Sequence, residues 1–93
     1  MFKIRIKDLV WQDKDRKHIK EKHNITDKEA QQVLLDKNIL YVPTYEGRII
    51  AIGKSKKRIL CIIITKYSKS KYLIVTAHVA DKAQRNAYRK NLN

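Results

Sequence analysis

The chain has 93 residues and a formal net charge of +13, because 22 Lys and Arg outnumber 9 Asp and Glu. The length suits one small domain, residues 1–93, and the hydrophobic fraction of 43% argues against wholesale disorder. The longest apolar run, Ile59–Ile64, is too short to span a membrane, and the N-terminal residues do not resemble a signal peptide. The single cysteine, Cys61, excludes an internal disulfide and reads as part of the core. We therefore expect a cytoplasmic protein with a polyanionic partner and no membrane partner.

The charge is concentrated in the second half of the chain. Residues 1–46 carry ten basic and eight acidic side chains, whereas residues 47–93 carry twelve basic side chains and one acidic one, Asp81. This clustering predicts a continuous basic face that is suited to phosphates. The plain alternative is an ordinary solvated surface, because basic composition alone is weak evidence for nucleic-acid binding.

The first elements are a strand and a surface helix. Alternating apolar and basic residues over 2–7 predict a half-buried strand that could continue to residue 11. Residues 12–23 predict a helix, with Asp13 or Asp15 as its cap and Asn24 as a left-handed stop.

A second helix and an extended segment follow. Thr26 and Glu29 have the spacing of a capping box, in which each side chain bonds to the other's backbone, and the apolar stripe after them predicts a helix to about Lys37. Residues 39–46 are predicted to be extended, and Pro43 restricts them to an edge strand or a loop.

Three strands and a final helix complete the chain. The strands are predicted over residues 48–53, 58–65 and 71–79. In the last strand, residues 73, 75, 77 and 79 should face one way and residues 72, 74, 76 and 78 the other. Asp81 can cap a helix that runs to about Lys90. Because tight turns join antiparallel neighbours, we expect an α+β domain of order β-α-α-β-β-β-α. Its small antiparallel sheet would carry two helices on one face and the C-terminal helix at its edge or end.

Several motifs occur in a familiar order between residues 10 and 88. Val10-Trp11 is followed by Lys22-His23-Asn24-Ile25 and by Glu29–Leu34, and later by Ile74–Ala80, then Gln84-Arg85 and Tyr88. This series resembles the pattern of the BrnT family, the ribonuclease toxins of type II toxin–antitoxin systems. Four positions depart from that pattern: Gln12 and Gln84 replace acidic residues, Asn24 replaces Gly, and His78 replaces Arg.

The resemblance implies a fold and a function. The fold would be like that of the RelE toxins. The activity would be metal-independent cleavage of mRNA, free or bound to the ribosome, which inhibits translation and needs no cofactor. The partner would be a cognate antitoxin, with which the toxin forms a hetero-oligomer.

Cleaving RNA without a metal requires a general base, a general acid and cations around the phosphate. His78 is the most suitable acid or base, because imidazole titrates near neutral pH, and it would share a strand face with Thr76 and Tyr72. An ordinary strand-end histidine is the equal alternative. His23 and Lys22 are further catalytic candidates, although cations at a helix C-terminus have a sufficient structural reason.

Most of the remaining candidate residues are suited to binding phosphate groups. On the final helix Arg85 could clamp the scissile phosphate, and Tyr88 could stack on a base, donate a proton or simply anchor the helix. Other side chains suited to sequence-independent phosphate contacts are Lys54, Lys56, Lys57, Arg58, Lys82 and Arg89. His18 and His23 are poorly spaced for a metal, and no metal site is predicted.

Two other functions fit the same residues. One is a binding module of the same fold that holds RNA or the ribosome with weakened or no cleavage. The other is a protein whose charge serves chiefly to bind an acidic antitoxin. Cleavage of RNA in EDTA separates the enzyme from both.

Overall fold

The computed structural model describes residues 4–44 and 47–92. The strands are β1 (Leu9–Val10), β2 (Leu40–Pro43), β3 (Arg48–Lys54), β4 (Ile59–Lys66) and β5 (Tyr72–Val79). The helices are α1 (Asp13–His23), α2 (Asp27–Leu34) and α3 (Lys82–Asn91). In this part of the chain no helix is long and apolar enough to cross a bilayer.

One five-stranded sheet forms the centre of the molecule, in the order β1-β5-β4-β3-β2. The α+β class is confirmed, but the sheet is mixed rather than antiparallel, because β1 pairs with β5 in parallel. The segments between β1 and β5 include two helices, so no tight turn constrains their relative direction. The predicted order also lacked β2, which pairs with β3 at the edge of the sheet, where Pro43 is tolerated.

The N-terminal strand was predicted too early in the chain. Ile4 is buried, yet it lies outside any strand, and Ile6–Asp8 form a 3₁₀ turn before the two-residue β1. The Asp8 carboxylate accepts a hydrogen bond from Arg5 Nε, and the Asp8 amide bonds back to the Arg5 carbonyl. This local closure replaces the extended backbone that the alternating pattern predicted. Phe2 lies outside the described residues.

The helix ends of the first half are largely as predicted. Asn24 adopts the left-handed conformation, with φ 54°, and Thr26 Oγ1 accepts a hydrogen bond from the Glu29 amide. The start of α1 differs, since its N-cap is Gln12 and no side chain caps it. Helix α2 ends at Leu34, before the predicted Lys37, because the Asp36 carboxylate closes the following turn by accepting from the Asn38 amide. The predicted extended segment 39–46 is a strand only to Pro43, and residues 45–46 lie outside the described residues.

Both faces of the sheet are covered. Helices α1 and α2 pack on one face, where the main core cluster joins them to the sheet through Ile19, Ile25, Ala30, Val33, Leu34, Ala51, Leu60, Ile62, Ile64, Ile74 and Ala77. Helix α3 lies on the other face, where Tyr88 packs against Ile52 and Cys61, so its predicted place at the edge or end of the sheet was wrong. Cys61 is a core residue as expected, and burial raises the pKa of its thiol to about 11.

A β-bulge changes which side chains of β5 point to each face of the sheet. Ile63 pairs with Thr76 and Ile64 with Ile74, so the register shifts at this point. Ile74 and Ala77 therefore enter the same core cluster, although strict alternation placed them on opposite faces. Tyr72 packs against that cluster as well, so the predicted common face of Tyr72, Thr76 and His78 is interrupted by the bulge.

Gly53 permits the close approach of α2 to β3. A Cβ atom at this position would lie 2.8 Å from the Val33 carbonyl oxygen and 2.9 Å from Val33 Cγ1. We expect Gly53→Ala to lower the free energy of unfolding by about 1–3 kcal/mol, because the helix must shift to admit the methyl group.

Urea unfolding followed by circular dichroism measures this loss. Gly47→Asn is the control, because Gly47 has φ +73° with open space around it and Asn tolerates that conformation. An unchanged midpoint for Gly53→Ala would contradict the close helix–strand approach.

Candidate active site

An ion pair between Glu29 of α2 and Arg58, just before β4, joins the two helices of one face to the sheet. Arg58 Nε donates to Glu29 Oε2 at 2.8 Å, and Arg58 Nη2 donates to Glu29 Oε1 at 2.7 Å. Arg58 Nη2 also donates to the Asn24 carbonyl at 2.9 Å, at the end of α1. The side chains are 14% (Glu29) and 32% (Arg58) exposed. Two parallel bonds fix both the distance and the angle of the pair.

The pair remains charged at neutral pH. The hydrogen bonds from Arg58 are the largest cause of a lowered pKa at Glu29, and they outweigh the effect of burial. The same bonds raise the pKa of Arg58. Sequence analysis assigned Glu29 to a reciprocal capping box and Arg58 to phosphate. In the structure, the Glu29 carboxylate accepts two hydrogen bonds from Arg58, and Arg58 donates a third to the Asn24 carbonyl.

The turn between β3 and β4 is held through its backbone. The buried Ser55 hydroxyl lies 3.0 Å from Glu29 Oε2 and accepts from the amides of Lys57 and Arg58, each at 3.2 Å. Gln32 Oε1 accepts from the Lys56 amide at 3.2 Å. The backbone is therefore fixed, and the lysine side chains of the turn are exposed.

Asp36 connects this turn to α3. Its Oδ2 accepts from the Lys54 amide at 2.9 Å and from the Tyr88 hydroxyl at 2.5 Å. Burial by itself would raise the pKa of Asp36. The hydrogen bonds from Tyr88 and from two backbone amides lower this pKa by a larger amount, so the net shift is downward. Burial and the nearby carboxylate raise the pKa of Tyr88 to about 12. Tyr88 is thus placed as an anchor of α3, which is one of the alternatives left open by its sequence.

A basic groove of about 610 Å³ lies between this turn and α3. Its lining side chains are Asn38, Lys54, Lys57, Arg58, Ile59, Val79, Arg85, Tyr88, Arg89 and Leu92. Five of them are cationic, and none is acidic. We call this surface the first groove. It brings together most of the predicted phosphate contacts, whereas Lys82 is exposed outside its lining and Lys56 lies outside it on the turn.

Two imidazoles lie close to each other in the fold. The ring centroids of His23, at the end of α1, and His78, near the end of β5, are 6.4 Å apart. His18 also lies close to His23, with 6.1 Å between the centroids. The sequence singled out His23 and His78 separately, and the fold places them next to each other. Lys22 is exposed on the last turn of α1.

Hydrogen bonds link the segments that carry the two imidazoles to residues that line the first groove. Arg85 Nη1 donates to the Ala80 carbonyl at 2.8 Å, two residues after His78. The Ala80 amide donates to the Ile59 carbonyl at 3.1 Å, beside Arg58, and Arg58 in turn holds the residue that follows His23. The Arg58 guanidinium is therefore bonded to the backbone of the residue that follows His23, and the Arg85 guanidinium to the backbone two residues beyond His78.

Gln84 has a structural role. The backbone N–H of Gln84 donates to Asp81 Oδ1 at 2.8 Å. The side-chain oxygen of Gln84 accepts from the backbone N–H of Asp81 at 3.0 Å, which completes a capping box. Within residues 4–44 and 47–92 no three His, Cys, Asp or Glu side chains are grouped so that they could hold a metal ion.

Comparisons with known proteins agree on one family. Residues 11–84 match the family described as the ribonuclease toxin, BrnT, of type II toxin–antitoxin systems. The structure is similar to the 1.1 Å crystal structure of the Brucella abortus ribonuclease toxin, BrnT, with a TM-score of 0.64 and 19% identity. The alignment covers 80% of this chain and 96% of that one. The curated proteins contain no match.

The first prediction for this site concerns Tyr88. Tyr88→Phe keeps the ring and removes the hydrogen bond to Asp36, so we expect a loss of about 1–2 kcal/mol in the free energy of unfolding. Urea unfolding followed by circular dichroism measures the loss. A variant as stable as wild type would contradict the role of the hydroxyl as an anchor of α3.

The second prediction concerns pH. The lowered pKa of Glu29 means that the ion pair contributes stability above the ordinary value of 4.5, and that this contribution is lost as the pH falls through the lower folded value. Glu29→Gln should cost about 1–3 kcal/mol at neutral pH. The difference from wild type should shrink below pH 4.5, as measured by denaturant unfolding across pH. Glu21→Gln, at an exposed position of α1, is the control. A difference that does not change with pH would show that the charge of Glu29 is not what stabilises the junction.

Proposed function

Because the chain belongs to the BrnT family of ribonuclease toxins of type II toxin–antitoxin systems, we propose that it cleaves RNA at the corner formed by the ends of α1 and β5. The observation that carries this proposal is the approach of His23 to His78, with 6.4 Å between their ring centroids. Two imidazoles this close can reach different oxygens of one phosphodiester.

The reaction divides between the two imidazoles. One removes the proton of the ribose 2′-hydroxyl, whose oxygen then attacks the adjacent phosphorus. The other protonates the 5′-oxygen that leaves. Imidazole suits both roles, because it gains and loses a proton near neutral pH. His23 and His78 can take either role, because both assignments balance the protons.

The cations stabilise the charge that develops on the phosphate. Arg85 is held at the end of β5 by its bond to the Ala80 carbonyl, and its remaining donors can bind phosphate oxygens. Lys54, Lys57 and Arg89 line the first groove and can hold neighbouring phosphates without sequence preference. Arg58 adds no net charge to this set, because it pairs with the Glu29 carboxylate through two hydrogen bonds and donates a third to the Asn24 carbonyl.

These groups supply a base, an acid and charge stabilisation from protein side chains alone, so we propose that the cleavage is metal-independent. The family implies RNA as the substrate and an antitoxin as the partner. We propose in addition that the substrate is mRNA in the cytoplasm, free or on the ribosome, and that its cleavage inhibits translation. We also propose that the fold is related to that of the RelE toxins.

Two observations support alternative functions. His78 and Gln84 stand where the family pattern has Arg and Glu, and Gln84 is engaged in capping α3, which favours an RNA-binding module with weakened cleavage. Val79 and Leu92 are 45% and 48% exposed beside the cations of the first groove, which suits an acidic antitoxin segment with apolar side chains.

The test uses purified chain free of antitoxin, incubated with RNA in EDTA. We expect cleavage, and we expect His78→Ala to slow it by about 10²–10⁴-fold because an acid or base is lost. His18→Ala is the matched control, since it removes an imidazole that also contacts His23 but has no role in the proposed reaction. Gel analysis of end-labelled RNA measures both rates.

The possible failures are distinct. Intact RNA together with salt-dependent binding would favour the binding module over the enzyme. Intact RNA with negligible RNA affinity would favour the antitoxin-binding role. Cleavage that is unchanged by His78→Ala would overturn the assignment of the site but not the activity.

A further inference from the structure

A second groove lies on the other side of the β3–β4 turn. Its volume is about 530 Å³, and α2 forms its opposite wall. Its cationic lining consists of Lys28, Lys56, Lys57 and Arg58. The catalytic candidates His23, His78 and Arg85 are not part of its lining.

The second groove continues the first. Lys57 and Arg58 line both, so the two grooves meet across a single turn. The single carboxylate in the lining of the second groove is that of Glu29, which Arg58 neutralises with two hydrogen bonds. The combined surface therefore presents positive charge without interruption by an unpaired acid in its lining.

The cations of the second groove project from fixed backbone. The Lys56 amide is held by Gln32 Oε1, and the Lys57 amide is held by the Ser55 hydroxyl. Lys28 is exposed on the first turn of α2, whose start is capped by Thr26. A positive path with a rigid base loses little conformational freedom on binding, which suits a chain of phosphates.

We propose that a single RNA strand cut at the imidazole pair runs along the first groove and over the turn into the second groove, where Lys28 and Lys56 bind phosphates away from the cleaved bond. This proposal rests on the proposed function, because it extends the substrate of that site from one phosphodiester to a strand of several nucleotides. A single strand fits this description because its backbone phosphates can follow a charged groove one by one. Its bases need no specific reader, so length rather than sequence determines the affinity.

The experiment compares oligonucleotide lengths in two double variants. The probes are 2′-O-methyl RNAs of about three and about twelve nucleotides, below and within the usual site size for single strands. The methyl groups block the attacking oxygen, so binding is measured without cleavage. The test variant is Lys28→Ala with Lys56→Ala. The control is Lys66→Ala with Lys69→Ala, which removes the same charge from exposed residues at the β4–β5 turn.

Fluorescence anisotropy at several salt concentrations gives the slope of log affinity against log salt. For the long probe, we expect the test variant to reduce the magnitude of this slope by about 1.4, since each lost contact with a single strand removes about 0.7. The control should leave the slope near the wild-type value. For the short probe, which fits the first groove alone, the two variants should bind alike.

Equal slopes for the test and control variants with the long probe would overturn the second groove as an RNA site. That result would leave the proposed cleavage intact, provided that wild-type chain still cuts unmodified RNA. Failure of the wild-type chain both to cut RNA and to bind the long probe would overturn the proposed function, and the extension with it.

Discussion

The paired hydrogen bonds between Glu29 and Arg58 hold together the elements that carry the candidate site. Removing two charges from water is costly, and such a pair stabilises a fold only if its geometry is good and its other polar atoms are satisfied. Both conditions are met, because the Ser55 hydroxyl lies against the carboxylate and the Asn24 carbonyl accepts from the guanidinium. The pair joins α2 to the start of β4, and through Asn24 it also holds the end of α1.

The candidate site depends on that junction. His23 is the last residue of α1, and its position relative to His78 follows from how the end of α1 is tied to the sheet. The exposed lysines of the β3–β4 turn depend on it in the same way, since Ser55 links their backbone to Glu29. A basic turn in an otherwise mobile loop would attract RNA without positioning it. Here the turn is fixed between the two grooves.

Local signals in the sequence predicted much of the fold. Asn24 and the Asp81–Gln84 capping box set helix ends through contacts within a few residues, and the apolar runs of β3 and β4 identified the central strands. A few failures are local, such as the 3₁₀ turn at Ile6–Asp8 in place of a strand, but the larger ones involve interactions between distant residues. The parallel pairing of β1 with β5, the bulge at Ile63 and Ile64, and the side of the sheet that α3 covers all depend on partners far along the chain. No local pattern encodes them.

The candidate site, like the fold, was predictable from local residue types but not in its long-range contacts. The chemistry of His23, His78 and Arg85 is visible in their residue types, and the resemblance to a toxin family drew attention to the motifs that contain them. Their convergence was not predictable, because it is produced by the tertiary packing of α1 against β5. The roles of Glu29 and Asp36 were missed for the same reason: Glu29 fits a helix cap by its spacing, and only the fold brings Arg58 within 2.7 Å of it. A glutamate that pairs with an arginine 29 residues along the chain leaves no signal in a single sequence.

The chemical nature of the ends of cleaved RNA tests the central claim most directly. Attack by the 2′-oxygen, with His23 and His78 as acid and base, leaves a 2′,3′-cyclic phosphate on one fragment and a 5′-hydroxyl on the other. Mass spectrometry of fragments produced in EDTA by the purified chain identifies these ends. We expect the cyclic phosphate, or the 3′-phosphate formed by its hydrolysis. A 3′-hydroxyl opposite a 5′-phosphate would show that water rather than the 2′-oxygen attacks, and it would contradict the account.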